Sequence, residues 1–243
     1  MPALLEVRGV SVRFGGLTAL KDVNLAVFAG EVLSVIGPNG AGKTTLFNVI
    51  TGRVRPSLGV VLFKERPIHR EHAFRIAQGG VVRTFQKTEV FGPLSLVEGV
   101  LAGALARGDA DPEARAREAL QTVGLDAKAH LRAEQLSYGD QRLLEIAQAL
   151  AAKPEVLLLD EPASGMNRQE SAHIVRLIGE LRTRGFAIVL VEHNMHVVMT
   201  ISDRVIVLNY GENIAEGRPE DVRADARVIE AYLGVQKTDA VAR

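Results

Sequence analysis

Apolar positions in the first quarter of the chain follow the patterns of β-strands. Residues 23–27 alternate between apolar and polar side chains, and a Gly-Gly pair before them marks a turn. Residues 32–36 form a short, mostly apolar run that ends in glycine, as a strand buried in a parallel sheet does. This part of the chain therefore predicts strands within 4–36, followed by a helix over about 42–50 and a strand over 60–63.

The pattern then changes to helix and later returns to strands. Residues from about 87 to 153 are rich in Ala, Leu, Glu and Arg, which is typical of helices. This order predicts an α/β core that is interrupted by a helical insertion, with an antiparallel N-terminal sheet beside it. The elements predicted after the insertion are strands 156–159 and 187–191, a helix over 168–184 between them, a hairpin of 204–208 and 213–215, and a last helix over 226–233.

Composition narrows the possible functions. The chain has 243 residues, 47% of them hydrophobic, and its 29 basic and 29 acidic residues cancel, so no strong global charge favours nucleic acid. There is no cysteine, which excludes disulfides, thiolate metal sites and a cysteine nucleophile. No apolar run reaches the roughly 18–20 residues that span a bilayer, and the N-terminus does not resemble a secretion signal. We therefore expect a cytoplasmic protein that meets the membrane only through a partner.

Residues 37–45, GPNGAGKTT, match the phosphate-loop pattern G-x-x-x-x-G-K-[ST] in full. They follow a predicted strand and open a predicted helix, which is the context that this loop requires. Glycines let successive N–H groups curl around a phosphate, Lys43 brings positive charge to the β- and γ-phosphates, Thr44 can ligate Mg²⁺, and Thr45 is expected to assist at the α-phosphate. The alternative is a glycine-rich turn that binds nothing, but the full match predicts a nucleoside triphosphate site.

Two carboxylates end the apolar run VLLLDEP, residues 156–162. Because side chains along a strand alternate in direction, Asp160 and Glu161 are not expected to share one function. Asp160 is expected to reach the Mg²⁺ shell through water, and Glu161 to orient or deprotonate an attacking water. The start of a solvated loop is the alternative. Beside a triphosphate site, however, the pair predicts hydrolysis.

The stretch LSYGDQRLLEIAQAL, residues 136–150, starts a second helix in an unusual way. Ser137 fits an N-cap, and the apolar residues after it fall on one face. A glycine-bearing turn at a helix start favours an anion, because free N–H groups and the positive end of the helix dipole point outward together. The chain already has a phosphate site, so the stretch leaves open which anion it would bind.

Taken in order, these motifs resemble those of the ATP-binding subunits of ABC transporters, and the resemblance covers nearly the whole chain. Residues 37–44 resemble the Walker A motif, 156–160 the Walker B motif, and 136–140 the LSGGQ signature, written here as LSYGD. Gln86 in VRTFQ resembles the Q-loop glutamine, and His193 in LVEHNM resembles the switch histidine. Residues 164–167 stand at the D-loop, with Asn where many relatives have Asp.

The resemblance implies a fold and an assembly. The fold is a P-loop NTPase of the ABC type: residues 1–86 and 154–243 would form a RecA-like core plus an antiparallel β subdomain, and 87–153 an inserted α-helical subdomain. Two such domains associate head to tail in this family, and each signature helix caps the ATP held by the other. Ser137 and Gly139 would therefore contact the partner's γ-phosphate, whereas Asp140 is expected to pair locally.

The resemblance also implies the site residues. Phe14 would stack on adenine, which needs only an aromatic face, although a phenylalanine in the sheet core is the alternative. The catalytic residues implied are Lys43, Gln86, Glu161 and His193, and the ligands of Mg²⁺ are Thr44, Gln86 and Asp160. The residues implied to bind ATP are Phe14, Gly37, Pro38, Asn39, Gly40, Ala41, Gly42, Lys43, Thr44, Thr45, Gln86, Ser137 and Gly139.

Finer features resemble the ATPases of branched-chain amino-acid importers, namely the Tyr-Gly-Asp signature, Asn167 and the closing VIEAYLG. This implies a second ABC ATPase subunit, identical or related, transmembrane permease subunits and, indirectly, a periplasmic substrate-binding protein. The chain would then lie at the inner face of the membrane. A urea importer or a lipopolysaccharide exporter remains an alternative. A soluble ABC ATPase acting on ribosomes or DNA is another, and would be expected to have two cassettes or a long coiled coil.

Overall fold

The computed structural model describes residues 2–84 and 94–239, with side chains as far as Tyr232. The strands are β1 (Leu5–Phe14), β2 (Leu17–Val27), β3 (Val32–Ile36), β4 (Leu58–Phe63), β5 (Arg66–Pro67), β6 (Val81–Arg83), β7 (Val156–Asp160), β8 (Ala187–Val191), β9 (Arg204–Asn209) and β10 (Glu212–Gly217). The helices are α1 (Lys43–Ile50), α2 (Ala73–Gly79), α3 (Leu96–Arg107), α4 (Pro112–Thr122), α5 (Tyr138–Ala151), α6 (Arg168–Thr183), α7 (Met195–Ile201), α8 (Pro219–Ala224) and α9 (Ala226–Asp239).

The central sheet has the strand order β10-β9-β3-β8-β7-β6. Its strands run parallel except β10, which pairs antiparallel with β9. Every residue of β3, β7 and β8 is buried, which explains why these strands read as apolar runs without alternation. Since the carboxyl ends of parallel strands lie at one edge of a sheet, the loops that follow these three strands meet there.

A second, antiparallel sheet has the order β2-β1-β4-β5. Its buried residues share one apolar cluster with α1 and one face of the central sheet. A separate cluster joins the other face of the central sheet to α3, α4, α5 and α6. The α/β core and the antiparallel N-terminal sheet predicted from the sequence are therefore confirmed.

Among the described residues of the helical part, α3, α4 and α5 pack against one another. Their starts carry local signals: Ser95 and Glu98 form a capping box on α3, Asp111 caps α4 before Pro112, and Ser137 caps α5. These helices fall within the predicted insertion. The division of the chain at residues 86 and 153 into subdomains stays a prediction.

Some elements differ from those predicted. The short elements α2, β6 and α8 were not expected; α2 buries only Ile76, so it has no apolar stripe to show a helical period. The strand predicted to end at residue 159 includes Asp160, and the last helix continues to Asp239. None of the helices in the described ranges is long and apolar enough to cross a membrane.

Candidate nucleotide-binding site

The glycine-rich loop joins the end of β3 to the start of α1. A Cβ at Gly37 would lie 2.1 Å from the carbonyl oxygen of Leu208, so the loop can pass β9 only with glycine at this position. Gly42 has a φ of 106°, and a Cβ there would lie 2.7 Å from Leu20 Cδ2. A Cβ at Gly40, by contrast, would meet no heavy atom of the described residues within 4 Å, so this side of the loop is open.

Lys43, the first residue of α1, turns its side chain back into this loop. Its Nζ donates hydrogen bonds to the carbonyl oxygens of Gly37 at 2.7 Å and Pro38 at 2.9 Å. Burial lowers the pKa of Lys43, and the nearby carboxylates of Glu161 and Asp160 oppose that shift. The ammonium group is thus held among oxygens at the mouth of the loop, where an incoming anion can take their place.

A cavity of about 440 Å³ opens in front of the loop. It brings together predicted residues that are far apart in sequence: the phosphate loop, Phe14, Glu161 and His193. Phe14 is 51% exposed, so it is not the core phenylalanine that was the alternative. The structure adds cavity residues that the sequence did not indicate, and these are Leu17, Thr18, Ala19 and Tyr210.

The two carboxylates at the end of β7 turn to different partners. Asp160 is buried, and its Oδ2 accepts a 2.6 Å hydrogen bond from Arg83 Nη2, while Arg83 Nη1 donates to Asn48 Oδ1 at 2.7 Å. Glu161 has a φ of 50°, and its Oε1 lies 2.8 Å from His193 Nε2. The predicted separation is therefore present, with Glu161 outside the strand in a left-handed conformation, which is rare and costly for a residue with a side chain.

Glu192, next to His193, has a structural role that sequence reasoning missed. Its buried carboxylate accepts hydrogen bonds from the backbone N–H groups of Ala163 at 2.9 Å, His193 at 2.9 Å and Asn194 at 3.1 Å. These bonds join the loop after β7 to the loop after β8. The sequence contained one signal for this role, since Glu192 directly follows an apolar strand. A carboxylate that is buried at such a position needs several hydrogen-bond partners.

The signature residues lie elsewhere. Ser137 Oγ accepts a hydrogen bond from Asp140 N at 3.1 Å, and Asp140 pairs with Lys128 at 2.5 Å, which is the local pairing expected for Asp140. Among the described residues that line the cavity, neither Ser137 nor Gly139 is found. The anion site predicted at the start of α5 therefore does not contribute Ser137 or Gly139 to the described lining of this cavity within one chain. Gln86, predicted to act in both catalysis and metal binding, lies outside the described residues.

Comparison with known proteins identifies the family. The family model described as "ABC transporter" matches residues 20–164, more than half of the chain. The chain belongs to the ABC transporter family. It is an ATP-binding and ATP-hydrolysing cassette, as its motifs predicted. A second family model, for branched-chain amino acid ATP-binding cassette transporters, matches residues 212–238 of this ABC cassette.

Individual relatives of the cassette support the same assignment. It is 42% identical to the high-affinity branched-chain amino acid transport ATP-binding protein LivG of Escherichia coli, over 95% of this chain and 98% of that one. It is 40% identical, with the same coverage, to the corresponding protein BraF of Pseudomonas aeruginosa. A crystal structure of a nucleotide-free ATP-binding cassette from an ABC transporter superposes with a TM-score of 0.88 at 29% identity, over 95% and 99% of the two chains. The predicted fold class is thus confirmed.

Proposed function

We propose that this cassette is the ATPase subunit of an importer for branched-chain amino acids, and that two cassettes act together. The 42% identity to the E. coli importer subunit over nearly the full length of both chains carries this proposal. The match of residues 212–238 to a branched-chain family model supports it from a part of the chain that lies outside the general ABC match. The identity to a lipopolysaccharide export ATPase of Acidithiobacillus ferridurans is lower, at 33%, which favours amino-acid import over lipopolysaccharide export.

Nucleotide binding is proposed to use the cavity in front of the phosphate loop. The loop N–H groups and Lys43 would hold the phosphates, and Phe14 would stack on the adenine. The Thr44 hydroxyl and the Asp160 carboxylate are oxygen donors suited to Mg²⁺, which takes few protein ligands when phosphates and waters supply the others. No cluster of three or more His, Cys, Asp or Glu that could hold a metal occurs in the described ranges. When bound, Mg²⁺ would neutralise charge on the β- and γ-phosphates.

Hydrolysis is proposed to depend on Glu161 and His193. The 2.8 Å contact between Glu161 Oε1 and His193 Nε2 fixes the carboxylate at the wall of the cavity. From there Glu161 can orient a water for attack on the γ-phosphate and accept its proton, and His193 can contact the γ-phosphate region. Gln86 is proposed to respond to the γ-phosphate and to ligate the metal together with Thr44 and Asp160.

The second anion site is proposed to belong to the ATP of another subunit. Ser137 and Gly139 stand at the start of α5, where free donors and the helix dipole favour phosphate, but they do not line the cavity of their own chain. A head-to-tail pair of cassettes would bring them to the partner's γ-phosphate. The solved structure of a related bacterial ABC transporter cassette is dimeric; that cassette is 27% identical and superposes with a TM-score of 0.79 over 88% of this chain and 98% of that one. Closure around ATP would then move the helical part of each chain against permease subunits.

Transport tests the proposal directly. The cassette is reconstituted in liposomes with the permease subunits that co-purify with it, ATP inside and the substrate-binding protein outside. Uptake of labelled leucine, isoleucine or valine is expected, and a complex with Lys43→Ala should lose it because the phosphates lose their cation. ATP hydrolysis by the complex without uptake of any of the three amino acids would refute the assigned cargo.

Phe14→Ala is expected to weaken ATP binding about 5- to 150-fold, because aromatic stacking on a base contributes about 1–3 kcal/mol. Calorimetric titration of the single cassette measures this change. Phe74→Ala is the matched control, since Phe74 is also exposed, at 59%, but does not line the cavity. Equal affinity of the two variants for ATP would contradict the assignment of Phe14 to the adenine site.

A further inference from the structure

Tyr138 occupies the position between the two signature residues proposed to meet the partner's phosphate. It is the first residue of α5, and the commonest signature has glycine there. Its hydroxyl donates a hydrogen bond to the carbonyl oxygen of Ser164 at 3.1 Å. The Tyr138 hydroxyl oxygen in turn accepts hydrogen bonds from Arg142 Nη2 at 2.8 Å and from Arg142 Nε at 3.2 Å. The hydroxyl therefore uses its donor and both acceptor positions within its own chain.

The ring of Tyr138 also packs against the loop that follows β7. Gly165 has a φ of 74°, and a Cβ there would lie 3.2–3.4 Å from three atoms at the hydroxyl end of the ring. The guanidinium carbon of Arg142, one turn along α5, lies 5.2 Å from the centroid of the ring. The side chain is thus fixed between α5 and the loop segment 164–167.

A second contact joins the same two segments. A Cβ at Gly139 would lie 2.8 Å from Glu170 Oε1, so the start of α5 is in close contact with the Glu170 side chain of α6. Glu170 itself accepts a hydrogen bond from Asn167 N at 2.9 Å in the capping box of α6. The first turn of α5, the segment 164–167 and the first turn of α6 therefore interlock.

We propose that Tyr138 is a positioning residue whose hydroxyl ties the start of the signature helix to the segment 164–167 of the same chain. The two segments then approach the partner's nucleotide as one unit. This inference rests on the proposed function, in which Ser137 and Gly139 serve the other subunit. Its physical basis is that donors stabilise developing charge most when they are already oriented, and the Tyr138 bonds fix the turn that carries both donors.

The experiment places Tyr138→Phe on one side of a mixed dimer. A small amount of cassette with intact Glu161 is mixed with a large excess of Glu161→Gln cassette. Nearly every intact chain then pairs with a substituted chain, so each mixed dimer has one hydrolysing site and the other dimers have none. The signature of the excess chain serves that site. The single-turnover rate of ATP hydrolysis is measured with Tyr138→Phe in the excess chain, and then with the same substitution in the trace chain.

With Tyr138→Phe in the excess chain, hydrolysis is expected to fall about fivefold, because the hydrogen bond that joins α5 to the segment 164–167 is lost; the two bonds from Arg142 that are lost with it lie within α5. With the substitution in the trace chain, the rate should change less than about twofold. The melting temperature and the ATP affinity of the single Tyr138→Phe cassette, measured in parallel, should stay within about 4 °C and twofold of the unsubstituted chain. Phe keeps the ring packing, so only the hydroxyl is tested.

Equal rates in both arms, or a loss confined to the trace chain, would overturn the role of Tyr138. A third arm separates this outcome from failure of the proposed function: Ser137→Arg in the excess chain should abolish hydrolysis. If that arm retains full activity, the signature does not act across the dimer and the proposed function fails. If it is inactive while the two Tyr138→Phe arms are equal, only the positioning role is lost.

Discussion

Glu161→Gln is expected to retain ATP binding, to lower kcat by about 10²- to 10⁴-fold, and to leave a dimer that persists in ATP. General bases contribute rate factors of this size, and an amide cannot take the proton of the attacking water. The amide keeps the shape of the carboxylate and one oxygen to face His193 Nε2, now 2.8 Å from Glu161 Oε1. Because the triphosphate remains uncleaved, its contacts with both chains would persist.

Steady-state hydrolysis and size-exclusion chromatography with and without ATP measure the two effects. Glu155→Gln is a matched control, since Glu155 precedes the same strand, β7, at the opposite end and pairs with Lys64 at 2.5 Å outside the cavity. The control should hydrolyse ATP normally and show no persistent dimer. A Glu161→Gln cassette that elutes as a monomer in ATP would contradict the two-cassette site, and one with normal kcat would contradict the role of Glu161.

The parts of the site that were predictable from the sequence are those whose chemistry is local. The phosphate loop needs only a strand, a run of glycines and a helix start, and these lie within a few residues of Gly37 and Lys43. Asp160 and Glu161 could be assigned different functions because they are adjacent at a strand end. What the sequence could not show was that Glu161 achieves this by a left-handed φ of 50° outside the strand.

The parts that were not predictable depend on contacts between distant segments. Arg83 and Asp160 are 77 residues apart in the sequence and meet only because β6 pairs with β7. The three residues of β6 are too few to show a strand pattern from which that pairing could be predicted. This ion pair is buried, and a buried charge is stable only beside an opposite charge. The partner of each residue therefore cannot be predicted from its own segment of the sequence. Glu192 similarly acquires its function from Ala163, 29 residues away, across the sheet edge.

The contacts of the two signature donors, Ser137 and Gly139, are also not predictable from their own segment, because they are proposed to lie in another subunit. Their sequence indicates an anion site, yet the cavity of their own chain does not include them. We therefore propose that the donors at this helix start bind phosphate held by another molecule. This argument gives the second large prediction, because it makes one serine essential for hydrolysis but unnecessary for binding by a single chain.

Ser137→Arg is expected to abolish measurable hydrolysis while changing the ATP affinity of the single cassette less than about twofold. The arginine side chain would fill the space at the start of α5 that the partner's γ-phosphate is proposed to enter, and the Ser137 hydroxyl would be lost as a donor. Loss of the N-cap itself costs about 1 kcal/mol, which lowers stability without unfolding the chain. Hydrolysis assays and calorimetric titration under dilute, single-cassette conditions separate the two effects.

Ser95→Arg controls for the lost cap. Ser95 caps α3 in the same way, with Oγ accepting from Glu98 N at 3.4 Å, but it is not placed in the nucleotide site. Both variants should lose similar stability, and only Ser137→Arg should lose hydrolysis. If Ser137→Arg instead weakened ATP binding in the single cassette by about tenfold or more, the serine would act on the nucleotide of its own chain. The two-cassette arrangement would then lose its main physical reason, because the second anion site would already be used within one subunit.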